Sequence, residues 1–232
     1  MVSSGPVEPP HLLGWRPIGY VEWDDYCQRV LAARIADGLI PCAPIFGDVR
    51  EFAQSGAAEQ YRGFADVVTA GFPCQPFSLA GMQRGADDER NMWPATAECI
   101  RMVQPESVLL ENTPGLISSG YIREVVGDLA AMGYVGRWGV IGACHAGFPH
   151  RRERVWIVAH AERRQRRQES HDGQDRRMGR FLEPFAWDSN WLDVFTGIRG
   201  IGDGVADRVG RTDAIRNGQV PRVVAAAWEL LS

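Results

Sequence analysis

Apolar residues recur along this chain in two rhythms, and their alternation predicts its architecture. Four short apolar runs read as strands: IGYVEW after Pro17, a segment around Ile45 leading to Gly47-Asp48, DVVTAG at 66–71 and SVLLEN at 107–112. SVLLEN has the unbroken character of a central parallel strand, and IGYVEW reads as a buried one. Between them the spacing turns helical. Asp24 or Asp25 caps a helix to about Asp37, with Val30, Leu31 and Ile35 on one face. Helices follow at about 93–103 and near 121–132, then two strands, YVGRWGVIGA and RVWIVAH, and a last helix at about 221–231 behind NGQVP. Residues 1–14 are irregular, 72–90 form a long loop rich in Gly, Pro and Ser, and 161–190 are polar with weak periodicity. Strand–helix alternation of this kind predicts an α/β fold: an open, mostly parallel sheet with helices on both faces.

Composition narrows the setting. A chain of 232 residues suffices for one sizeable α/β domain with a small appendage, and 45% hydrophobic with 23% charged residues excludes wholesale disorder. No apolar run approaches the ~20 residues of a membrane span. The start, MVSSGPVEPP, lacks the basic-then-apolar order of a secretory signal. The expectation is a cytoplasmic protein without a membrane partner. Five scattered cysteines (27, 42, 74, 99 and 144) with no CxxC pair suit reduced thiols better than disulfides or a zinc site, so no metal is expected. The net charge is −4, yet all 25 basic residues are arginine, and 151–180 holds ten of them against five Asp/Glu. That polarity offers a basic face to phosphates, although a solvated Arg-rich loop accounts for it equally simply.

The residues with chemical potential sit where strands end. GFPCQPFSLAG (71–81) follows a strand, at the edge where open α/β sheets place ligands, and Pro73 and Pro76 hold Cys74 in an extended loop. A lone loop cysteine is usually inert; context has to argue otherwise. ENTPG (111–115) ends the next strand, so the Glu111 carboxylate can face the same crevice, where partial burial suits it to act as an acid near a pyrimidine N3. Arg152 and Arg154 stand two apart at the start of a strand and so point one way, as two guanidinium forks for phosphate or a base carbonyl. Glu22 ends a strand where an acidic residue commonly binds ribose hydroxyls, Trp23 offers a ring to cover adenine, and Asp48 a carboxylate for its amino group. Taken singly, each has a bland explanation in turn capping or solvated charge.

Taken together, from about Gly14 to Leu231, the Pro-Cys loop, the Glu-Asn strand end, the Arg-x-Arg strand and the terminal NGQVP resemble the DNA cytosine-C5 methyltransferase family in order and spacing. The resemblance implies the Rossmann-like fold of S-adenosylmethionine-dependent methyltransferases, with S-adenosylmethionine as donor and double-stranded DNA as substrate. The target cytosine leaves the stack at a cost of a few kcal/mol. Cys74 then adds to C6 while Glu111 holds N3 and Arg154 holds O2, with Arg152 beside them. The C5 carbon takes the methyl group, and loss of the C5 proton expels Cys74. By the same resemblance Pro73, Gln75 and Ser78 shape the closing loop and Asn112 supports the Glu111 turn. Glu22, Trp23, Asp48, Trp93 and Asn217 surround the cofactor. The implied division is a catalytic domain at 1–160, a reduced target-recognition segment at 161–205, and a C-terminal motif and helix at 206–232 that return to the catalytic domain. A cognate restriction endonuclease is an implied partner.

The chain departs from the family in four places. Nothing before Gly19 supplies the Phe-x-Gly-x-Gly loop of the family's first strand, which lies between the strands ending here at Trp23 and Ala70; prolines at 6, 9 and 10 disfavour a central strand. The expectation is a truncated or mis-started frame, with the missing strand supplied by an upstream segment or a separate polypeptide. His150 stands for the usual Gln, Arg216 for the Gly before Asn217, and the target-recognition region is short. Two other functions compete: a catalytically impaired remnant that binds DNA or partners through its Arg-rich segment, and an RNA cytosine methyltransferase.

Overall fold

The structure, a computed structural model, describes residues 13–73, 91–146, 151–162 and 221–232. Its centre is strand β4 (Ser107–Asn112), the predicted SVLLEN. It runs parallel to β3 (Val67–Ala70) and antiparallel to β6 (Arg154–Ala161). Strand β5 (Tyr134–Ile141) lies antiparallel to β6, giving the order β3-β4-β6-β5. Val108, Leu109 and Leu110 are all buried, because both faces of β4 are covered, and so the sequence shows no polar alternation there. A 3-10 turn (Ala143–Ala146) follows β5, and β6 returns beside it, so that edge is antiparallel.

Successive residues of β4 and β6 feed two cores. On one face Val108, Leu110, Val155 and Ile157 pack with Trp93 and Ile100 of α3 (Trp93–Val103) and Val125 and Leu129 of α5 (Ile122–Ala131). On the other, Leu109, Trp156 and Val158 pack with Val223 and Ala227 of the last helix. The short helix α4 (Gly115–Ser118) follows β4, and that last helix, α6 (Pro221–Leu231), matches its predicted bounds. Trp15 packs edge-on against Trp228, ring centroids 4.7 Å apart, so the segment before β1 crosses over α6.

The N-terminal part departs from expectation in its burial. Helix α1 (Asp25–Ala36) starts as predicted: the Asp24 side chain accepts the Cys27 N–H at 2.8 Å, and Asp37 ends it. It nevertheless buries no residue, and Val30 is exposed. Strand β1 is only Tyr20–Val21, paired in parallel with β2 (Ile45–Phe46) in a separate two-stranded sheet. IGYVEW is therefore not a buried strand: Val21 is 39% exposed, and among the described residues β1 has one neighbour rather than two. Among the described residues no strand joins β1–β2 to β3. The split falls between the strands ending at Trp23 and Ala70, where the sequence predicts a missing strand. The two parts are linked instead by a cluster of Phe46, Phe52 of α2 (Val49–Gln54) and Tyr61 with Val68, Cys99 and Val103. No helix among the described residues is long and apolar enough to cross a membrane.

Candidate active site

Strands β3 and β4 are parallel with Ala70 opposite Leu110, so the chain leaves β3 at the level of Glu111. Asn112, buried at that end of β4, fixes the exit. Its Nδ2 donates to the Phe72 carbonyl at 3.0 Å, and its Oδ1 accepts the Thr113 N–H at 2.8 Å. Phe72 is itself anchored, tilted against Trp93 at 5.2 Å between centroids. Pro73 then reaches the surface. Cys74, Gln75 and Ser78 lie outside the described residues, as do Asn217, His150, Arg216 and residues 163–205 of the target-recognition segment. The described geometry thus carries the chain to within two residues of Cys74 beside the end of β4.

At that end Glu111 is ion-paired with Arg154: Nε to Oε1 is 2.8 Å, with both side chains largely shielded (23% and 16% exposed). The two residues belong to neighbouring antiparallel strands, and Arg154 opens β6. Arg152 differs from expectation. It lies before the strand, with φ 35°, so the period-two argument does not place it. The left-handed backbone costs a non-glycine residue roughly 1–2 kcal/mol, and such strain collects at functional sites. Arg152 still lies within reach of the charges of Glu111 and Arg154. Burial, and then the like charge of Arg154, pull its pKa below the usual arginine value, while Glu111 acts against them. Two cations around one carboxylate form a site for a group that presents both an acceptor and a donor.

A second cluster occupies the ends of β1 and β2, whose Val21–Phe46 register brings Glu22 and Trp23 level with Gly47 and Asp48. Trp23 is 70% exposed. Arg50 gives Asp48 a two-pronged ion pair, with Nη2 to Oδ2 at 2.8 Å, and lies over the Trp23 ring at 5.4 Å from its centroid. That hydrogen bonding holds the Asp48 carboxyl below the usual aspartate range. A planar group stacked on the indole and giving N–H bonds to the carboxylate has the same complementarity as an adenine with its amino group, so these residues fit a nucleoside. The Glu22 carboxylate, which accepts the Asp24 N–H at 2.9 Å, supplies a further acceptor.

Trp93 requires a correction. It is fully buried, its Nε1 donates to Asp128 at 2.8 Å, and it belongs to the core rather than to a cofactor surface. The expectation of Trp93 at the cofactor comes from the family resemblance, which carries no information on its burial. Sequence reasoning also missed Arg50, which looks like any first-turn helix residue.

Comparison with known proteins gives the family. The family model described as C-5 cytosine-specific DNA methylase matches residues 11–183. The Type II methyltransferase M.NgoMIV of Neisseria gonorrhoeae is 37% identical over 118 residues, covering 50% of this chain and 36% of that protein. M.HpaII of Haemophilus parainfluenzae is 34% identical over 153 residues, covering 63% and 40%. The chain therefore spans well under half the length of these curated relatives. Among solved structures, a prophage-encoded E. coli protein described as a DNA modification methyltransferase shares the fold with a TM-score of 0.52 at 20% identity, over 67% of this chain and 43% of that one. With most of its length matched by the family model, including β4 and the Arg-x-Arg strand, the chain belongs to the C-5 cytosine-specific DNA methylase family.

Proposed function

We propose that this chain takes part in methylating C5 of a cytosine flipped out of double-stranded DNA, with Cys74 as nucleophile and Glu111, Arg152 and Arg154 around the base. The observation that carries the reading is the Glu111–Arg154 pair at the end of β4, beside the loop that Asn112 ties down two residues before Cys74. A cytosine offers an amino donor next to N3 and a carbonyl acceptor at O2. Glu111 matches the first side and Arg154 the second, so the base exchanges one ion pair for two hydrogen-bonded contacts. Addition of the Cys74 sulfur to C6 pushes electron density to C5 and N3, and the contacts at N3 and O2 hold that charge in place. After C5 accepts a methyl group, loss of its proton restores the C5–C6 double bond and returns the sulfur to Cys74.

The methyl group comes from S-adenosylmethionine, whose sulfonium supplies an electrophilic carbon. Glu22, Trp23 and Asp48 hold the nucleoside end of that donor, with Arg50 displaced from the indole, and Asn217 lies in the C-terminal motif beside it. A further parallel strand, from an upstream segment or a separate polypeptide, completes the sheet between β1 and β3. The setting is that of restriction–modification, with a cognate endonuclease as partner. Transfer of radiolabelled methyl groups to duplex DNA, with Cys74→Ser as control, tests the reading. Label in DNA that disappears with Cys74→Ser supports it. No transfer, together with no donor binding by calorimetry, defeats it in favour of a remnant that only binds DNA or partners. Label in transfer RNA alone reassigns the substrate.

A further inference from the structure

The β5–β6 connection is built around contacts that converge on the residue before Arg152. The Ala143 N–H donates to the Arg151 carbonyl at 2.8 Å, and the Gly142 N–H donates to Nδ1 of His145 at 2.9 Å. Gly142 is buried against the same carbonyl, and a Cβ there would stand 2.4 Å from the Arg151 oxygen. Only glycine allows this approach, because a backbone carbonyl gives way far less readily than a flexible side chain. The next residue, Arg152, carries the left-handed φ of 35° and lies where the charges of both Glu111 and Arg154 act on it, beside their 2.8 Å ion pair.

A strained backbone persists only where its surroundings over-determine it. Here those surroundings are the turn at 142–146. We infer that Gly142 and His145 are positioning residues, which lock the 142–146 turn against Arg151 and thereby hold Arg152 beside Glu111. Neither touches the base. Gly142 supplies the close approach, and the ring nitrogen of His145 occupies the Gly142 N–H and fixes the turn that the Arg151 carbonyl leans on. The inference deepens the proposed function, since it rests on reading Arg152 as part of the base site; its test uses no catalysis, so the two can fail separately.

His145 is exposed, so replacing it leaves the core intact. Asparagine at the same position carries an acceptor oxygen one bond beyond Cγ, where Nδ1 sits in histidine, but no imidazole. The test is nuclear magnetic resonance of the arginine Nε–H groups in the full chain. Arg152→Lys assigns the signal, and the Arg154 Nε–H, bonded to Glu111, serves as internal control. His145→Ala is expected to speed exchange of the Arg152 Nε–H several-fold and to lower its order parameter, with Arg154 unchanged; His145→Asn is expected to restore both. Gly142→Ala is expected to produce the same loss and to lower the melting temperature. An Arg152 signal indifferent to His145→Ala overturns the inference. So does equal loss in His145→Ala and His145→Asn, or loss shared equally by Arg154.

Discussion

The Asn112 side-chain amide donates to the Phe72 carbonyl across the ends of two parallel strands, 40 residues apart in sequence. Through that bond β4, which carries Glu111, sets the path of the loop that carries Cys74. Asn112→Ala leaves the buried Phe72 carbonyl and Thr113 N–H without these partners, a loss of about 1–3 kcal/mol per unsatisfied group. Urea denaturation is expected to show a fall of that order with an unchanged m-value. A variant as stable as the parent removes Asn112 from this role.

The Glu111–Arg154 pair is shielded enough to be measurable. A double-mutant cycle with Glu111→Gln and Arg154→Gln is expected to give a coupling energy within about 0.5–3 kcal/mol. The single Glu111→Gln variant is the more damaging, because it leaves Arg152 and Arg154 facing each other without their carboxylate. Additive effects of the two substitutions contradict a direct pair.

Arg50 occupies both groups assigned to the adenine. Arg50→Ala is expected to tighten S-adenosylmethionine binding several-fold in calorimetry and to leave Trp23 fluorescence more responsive to the ligand. Asp48→Asn and Trp23→Ala are each expected to weaken binding. Weaker binding on Arg50→Ala assigns Arg50 to the donor rather than to its exclusion.

Two caps carry the acid sensitivity of the β1–β2 region. The Cys27 N–H bond to Asp24 and the Arg50 bonds to Asp48 lower both carboxyl pKa values from the ordinary 3.8. A lowered folded pKa adds stability that is fully present above the unfolded value and lost as pH falls through the folded one. The amide shifts of Cys27 and Arg50 are therefore expected to titrate with midpoints below the ordinary value, and Arg50→Ala to move the Asp48 midpoint back toward it. Midpoints at or above 3.8 contradict both caps.

The elements most legible in the sequence are those that local chemistry or complete burial defines. The Asp24 cap sets the start of α1, and the unbroken apolar run of SVLLEN gives β4. Helices α3 and α6 follow their apolar spacing to the residue. The extent of β1 was not legible, because strand length depends on neighbours: IGYVEW has the composition of a central strand but pairs, among the described residues, with β2 alone. The same holds for α1, which buries no residue although its apolar spacing is helical. At the site, strand ends put Glu111 and Arg154 at the sheet edge, and the family resemblance supplied the roles expected of them. The departure of Arg152 from the strand could not be read there, because its neighbour Arg151 meets Gly142 and Ala143, a contact between segments that no periodicity records.

The central claim, that Cys74 and Glu111 grip one extruded cytosine, is tested most directly by trapping the adduct. In duplex DNA carrying 5-fluorocytosine the C5 fluorine cannot leave as a cation, so the elimination that frees the sulfur is blocked after methyl transfer. Mass spectrometry of the chain incubated with that duplex and S-adenosylmethionine is predicted to find one methylated fluorocytosine joined through C6 to Cys74, absent in Cys74→Ser and strongly reduced in Glu111→Gln. An adduct on another cysteine, none at all, or one indifferent to Glu111→Gln would contradict it.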